Sequence, residues 1–127
     1  SLATSSLDLI VHNNPRNLAE LMWSADLAVT AGGLGMFELA CIGTPSVVVC
    51  GERFEEETAS RLEQSGVVVN LGFGAAINYE DLSKTIDSLA LDWSRRKRMS
   101  VLGKKLVDGK GSERIVRMIR QRVCTDR

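Results

Sequence analysis

The residues best placed to do chemistry are Gly32, Gly33 and Gly35, which follow the apolar run Leu27–Thr30, with Glu38 close behind them. A buried strand that passes through glycines into a helix brings its main chain close to a ligand. The unpaired N–H groups and the dipole of the helix start then favour an anion. The chemistry this suits is phosphate binding by the turn Gly32, Gly33, Leu34 and Gly35. A tight strand-to-helix turn that needs glycine only for its shape is the alternative, and spacing does not separate the two. A dinucleotide fingerprint would place a third small residue where Glu38 stands, although Glu52 lies where that motif wants its acidic group. The phosphate loop of nucleotide hydrolases is excluded, because no Gly-Lys-Ser/Thr follows the turn. Glu38 is the odd residue in Met36–Ile42, which is otherwise apolar and reads as a helix buried nearly all round, so its carboxylate needs a partner. The hydroxyls of a ribose whose phosphates sit on the turn would meet that need. A charge favoured near a helix start, or a solvated surface position, would meet it as well.

Other reactive residue types are sparse. Cys41, Cys50 and Cys124 lie at wide spacings without a C-x-x-C pair, so they form neither a disulfide framework nor a zinc site. Cys41 and Cys50 read as small buried hydrophobes. His12 is the one histidine, beside the turn residues Asn13-Asn14-Pro15, and reads as a polar turn residue with no catalytic role. The basic run Arg95–Arg98 reads as a solvated helix face. No catalytic residue, metal site or cofactor is assigned.

The elements that must position the glycine turn follow from patterning. Short apolar strands are expected at Leu7–Val11, Leu27–Thr30, Ser46–Cys50 and Val67–Asn70, the near-continuous apolar character implying burial on both faces. Helices are expected at Leu18–Ser24 with Asn17 as cap, at Met36–Ile42 and at Glu55–Gln64, so strands and helices alternate as in a parallel sheet with helical crossovers. The last third reads as helices Tyr79–Leu91 and Trp93–Val107, then glycines at 109 and 111. A further helix is capped by Ser112, with Ile115, Val116, Ile119 and Val123 as its buried stripe. The fold class is α/β. With 127 residues, 44% hydrophobic, and sixteen basic against sixteen acidic residues, the chain is one ordinary domain with no electrostatic footprint for nucleic acid. No apolar run approaches a membrane span and no signal-peptide pattern opens the chain, so a cytoplasmic location is expected.

Several segments in order carry a resemblance: Asn17-Leu-Ala-Glu-Leu-Met22, Ala25-Asp-Leu-Ala-Val-Thr-Ala-Gly-Gly33, Glu38-Leu-Ala-Cys-Ile-Gly-Thr-Pro45 and Asp108-Gly-Lys-Gly-Ser-Glu-Arg114. Over roughly residues 7–118 the chain resembles the C-terminal half of GT-B-fold nucleotide-sugar enzymes. It looks closest to the UDP-sugar hydrolase of pseudaminic acid biosynthesis and the related spore-coat polysaccharide proteins, and less like the lipid II N-acetylglucosaminyltransferase. The resemblance implies a Rossmann-like donor domain in which Gly32, Gly33, Leu34 and Gly35 hold the UDP diphosphate and Glu38 the ribose. A second family region maps onto Glu52–Ala59. There the family often has Asn-Gln, where this chain has Phe54-Glu55-Glu56-Glu57-Thr58. Three carboxylates beside a diphosphate would repel it unless they turn outward, which leaves Thr58 and main-chain groups as contacts.

The resemblance also implies that the chain is a truncated domain, 1–127, whose catalytic groups lie in a missing N-terminal domain in the same or another chain. UDP or a UDP-sugar is then the ligand, and the chain alone is expected to be inactive. A donor subunit of a two-chain glycosyltransferase and a non-catalytic interaction module are the alternatives. Two strands of the family's sheet are absent between Leu7–Val11 and Leu27–Thr30. The open edges this leaves are expected to produce a homodimer, a domain swap, or direct pairing of those two strands.

Overall fold

A computed structural model describes residues 8–125, so Leu7 and the residues before it, the last two residues and the side chains of Cys124 and Thr125 lie outside the described part. The elements run α1 (Leu18–Ser24), β1 (Ala28–Thr30), α2 (Leu34–Ile42), β2 (Ser46–Cys50), α3 (Glu55–Gln64) and β3 (Val68–Phe73). Helices α4 (Tyr79–Leu91), α5 (Trp93–Leu106) and α6 (Gly111–Thr125) follow. The three strands form a parallel sheet in the order β1-β2-β3, as the alternation of strands and helices requires.

Burial on both faces holds for the central strand. Val48 and Cys50 of β2 pack with Met36 and Ala40 of α2 and with Ala59 and Leu62 of α3, whereas Val47 faces Leu89 of α4 and Met99 of α5. Strands β1 and β3 are edges and only partly covered, and Val29 of β1 is half exposed. Helix α2 ends at Gly43 in the left-handed region (φ 91°), whose N–H donates to the carbonyls of Leu39 and Ala40. The adjoining Thr44 hydroxyl donates to the Met22 carbonyl at 2.7 Å and so ties α1 to the layer. Helix α5 crosses the end of the layer where α2 finishes and β3 begins. Gly103 there lies so close to α2 that an added Cβ would be 2.8 Å from the Ala40 carbonyl oxygen.

Several expectations are corrected. Residues 8–11 of the expected first strand are not in a strand, and Leu9, Ile10 and Val11 are exposed. A β-rich run needs a neighbour for its main-chain groups, and among the described residues β1 pairs only with β2, so residues 8–11 do not pair with it directly. Asn17 stands at the start of α1, but its side chain makes no cap. The apolar stripe of α6 is exposed, including Ile115, Val116, Ile119 and Val123, and the helix starts at Gly111, one residue before the expected Ser112 cap. Its period is helical, but among the described elements nothing covers the stripe. Finally, Arg96 is not a purely solvated residue: its guanidinium donates to the carbonyls of Leu89 and Ala90 and closes the end of α4.

Candidate functional site

In an open parallel sheet, ligands bind beyond the carboxyl ends of the strands, where the strand-to-helix turns gather. Here those turns are Ala31–Gly33 between β1 and α2, Gly51–Phe54 between β2 and α3, and the stretch from Gly72 to the short 3-10 turn Gly74–Ala76. None of Gly32, Gly33 and Gly35 has positive φ, so the turn does not need glycine for its main-chain conformation. Close approach explains two of the three. A Cβ on Gly32 would sit 2.7 Å from Glu55 Cβ and 3.1 Å from Cys50 Sγ, and one on Gly35 would sit 2.9 Å from Thr30 Oγ1. Gly33 is different: its nearest neighbour would be Glu55 Oε1 at 3.7 Å, and the residue is exposed at the N-cap of α2. No side chain caps that helix start, and Leu34 in its first turn is 79% exposed. The first turn of α2 is therefore open to solvent beside Gly33, with the Glu55 carboxylate close by.

Glu38 is exposed, which corrects the expectation of a helix buried nearly all round. Met36, Leu39 and Ala40 face inward, while the Glu38 side of α2 turns toward α1. With Leu18, Ala19, Met22, Cys41 and Ile42, Glu38 lines a groove of about 280 Å³ between those two helices. Its carboxylate makes no hydrogen bond or ion pair among the described residues, so it is free to accept from a ligand. The groove is otherwise apolar, and near the smaller end of ligand clefts.

The acidic first turn of α3 departs in part from the expectation that its carboxylates turn outward. Glu55 points inward: its Oε2 accepts from the main-chain N–H groups of Gly51 (2.9 Å) and Glu52 (3.2 Å). Glu56 approaches the end of β3, where its Oε1 would lie 3.6 Å from a Cβ on Gly72, and Glu57 pairs with Arg61 in solvent. Thr58 is exposed and its side chain makes no hydrogen bond among the described residues, so nothing joins it to the glycine turn. Burial pushes the Cys50 thiol above its usual range, and the charges of Glu55 and Glu56 push the same way, which makes it a poor nucleophile.

Two residues at this end of the sheet escaped the sequence reading. Asn70 accepts from the Gly72 N–H at 3.0 Å and donates to Ser60 Oγ at 3.2 Å, shaping the irregular end of β3, where Gly72 has φ 80°. Arg53 stacks on the Phe73 ring at 4.8 Å and places a cation beside the β2–α3 turn. A basic residue just past an apolar strand was the available signal for Arg53. His12 is exposed ahead of the turn in which Asn14 adopts a left-handed φ of 49°.

The comparison with known proteins bears on this arrangement. The chain is 31% identical over 103 residues to the spore coat polysaccharide biosynthesis protein SpsG of Bacillus subtilis (strain 168). The matched stretch is 81% of this chain and 30% of that protein, so the chain corresponds to less than a third of its relative's length. No family model matches the chain, and no solved structure gives a significant match. Among the described residues, no helix is long and apolar enough to cross a membrane.

Proposed function

We propose that this chain is the donor-recognition part of a UDP-sugar enzyme, a glycosyltransferase or hydrolase, that serves assembly of a bacterial surface polysaccharide. The observation that carries this reading is the unpaired, exposed Glu38, set over an apolar groove one turn along the helix that starts at the uncapped, accessible Gly33. A diphosphate at the helix start and a ribose at Glu38 use both features, and the apolar groove takes the faces of the rings. Similarity to a polysaccharide biosynthesis protein supports the biological setting. Uridine as the base rests on the resemblance to UDP-sugar enzymes.

Bond chemistry is assigned to another domain, in the same chain or a second one. The exposed stripe of α6 and the open edge at β1 support that division, since both suit a covering domain or a second copy. A structural glycine turn in a non-catalytic module is the second reading. It is favoured by the tight surroundings of Gly32 and Gly35 but leaves Gly33 and Glu38 unexplained.

Isothermal titration with UDP, a UDP-sugar and NAD separates the readings. The donor reading expects UDP and the UDP-sugar to bind more tightly than NAD. NAD binding as tightly, or no binding by any of the three, overturns it.

A further inference from the structure

We infer that Glu55 is an internal occupant of the phosphate cradle, an anion belonging to the chain that a nucleoside diphosphate must displace. The inference rests on the nucleotide reading above. Its first support is the pair of hydrogen bonds from the Gly51 and Glu52 N–H groups to one Glu55 oxygen, at 2.9 and 3.2 Å. Main-chain donors at the carboxyl end of the central strand are those a phosphate would use, and an ionised acceptor makes such bonds strong. The second is position. The same oxygen lies 2.9 Å from where a Cβ on Gly32 would be, and the other oxygen lies 3.7 Å from that point on Gly33. One carboxylate thus spans the space between the β1–α2 and β2–α3 turns. The third is charge: among the described residues no basic side chain pairs with Glu55, and Glu56 adds a second carboxylate nearby, at Gly72.

A diphosphate on the glycine turn would meet the Glu55 charge within a few ångströms, where the like charges repel. Glu55 is the first residue of α3, so its side chain can swing to solvent without breaking the helix, releasing the Gly51 and Glu52 N–H groups to the ligand. Until it does so the cradle is filled. Apparent affinity is lowered by the fraction of molecules in which the cradle is open. Uridine, which has no phosphate, should not sense this competition.

The test is titration of the 127-residue chain and its Glu55→Gln and Glu55→Ala variants with UDP and, separately, with uridine, each variant being checked by circular dichroism. The expected result is UDP affinity raised by roughly tenfold or more in both variants, with uridine affinity unchanged. Equal or weaker UDP binding by the variants, beside measurable binding by the unaltered chain, overturns the role of Glu55 and leaves the nucleotide reading standing. Absence of UDP binding in all three overturns the nucleotide reading and the inference with it. Loss of the fold in both variants also overturns the inference, since the carboxylate would then be a structural necessity.

Discussion

Replacing Gly103 with alanine tests whether the close contact of α5 with α2 sets the position of the helix that carries the site. In an unhindered helix interior this change gains about 1 kcal/mol, because alanine loses less conformational freedom on folding. Here the new methyl would meet the Ala40 carbonyl oxygen at 2.8 Å and the Ala40 Cα at 3.2 Å. Both are main-chain atoms of a packed helix, so no side chain can rotate away, and the helices must separate. Overpacking of this kind costs roughly 1–3 kcal/mol, and the rigid neighbour places this case at or above the upper end. After the propensity gain, the net loss is about 2 kcal/mol, or a fall in Tm of roughly 5–10 °C for a domain of this size. Gly111→Ala serves as the control, because an added Cβ there meets nothing within 4 Å. It should leave Tm unchanged or slightly raised. Thermal unfolding followed by circular dichroism reads both. A Gly103→Ala variant as stable as the unaltered chain would show that propensity outweighs the contact and that the account of α2 is wrong.

Three further outcomes follow from side chains around the site. Iodoacetamide should label half-exposed Cys41 far faster than buried Cys50, whose thiol is held protonated by burial and nearby carboxylates, as mass spectrometry of native protein would reveal; equal rates would contradict that burial. Asp108 accepts two bonds from Arg114 and one from the Lys110 N–H, which hold its carboxyl well below the usual carboxylate range. Its contribution is therefore present above the unfolded value near 4 and lost as pH falls further toward the folded one. The small Tm gap between Asp108→Asn and the unaltered chain should be widest above about pH 5 and narrow below about pH 4, and a gap that widens in acid would refute this. The chain alone should release no UDP from UDP-sugars at an enzyme-like rate, since no described side chain is positioned as an oriented acid or base opposite the turn. Release abolished by His12→Ala would place the chemistry in this chain after all.

Sequence patterning was most informative where an element's partners lie within this chain. The bounds of β2 and α3 match expectation because strong apolar or amphipathic runs there end at glycine-bearing turns and pack on each other. The same patterning misleads at Leu9–Val11 and along α6, where apolar spacing signals a surface that some element should cover but cannot say which. Glu38 shows a related limit: apolar neighbours in the sequence suggested burial all round, yet α2 turns one side toward the groove with α1. For Glu55, an acidic residue in a helix's first turn has a sufficient local explanation. Its inward direction depends on where the neighbouring glycine turn lies, which is tertiary information.

The central claim is that Glu38 and the start of α2 hold one nucleotide between them. The most direct measurement is the Kd for UDP of the Glu38→Ala variant beside that of the unaltered chain, at equal salt. Loss of charge-assisted hydrogen bonds to ribose predicts weakening by about 1–3 kcal/mol, roughly five- to 150-fold, with Tm little changed because the Glu38 carboxylate makes no hydrogen bond or ion pair among the described residues. Identical Kd values for the two proteins would contradict the assignment of Glu38 and, with it, the site.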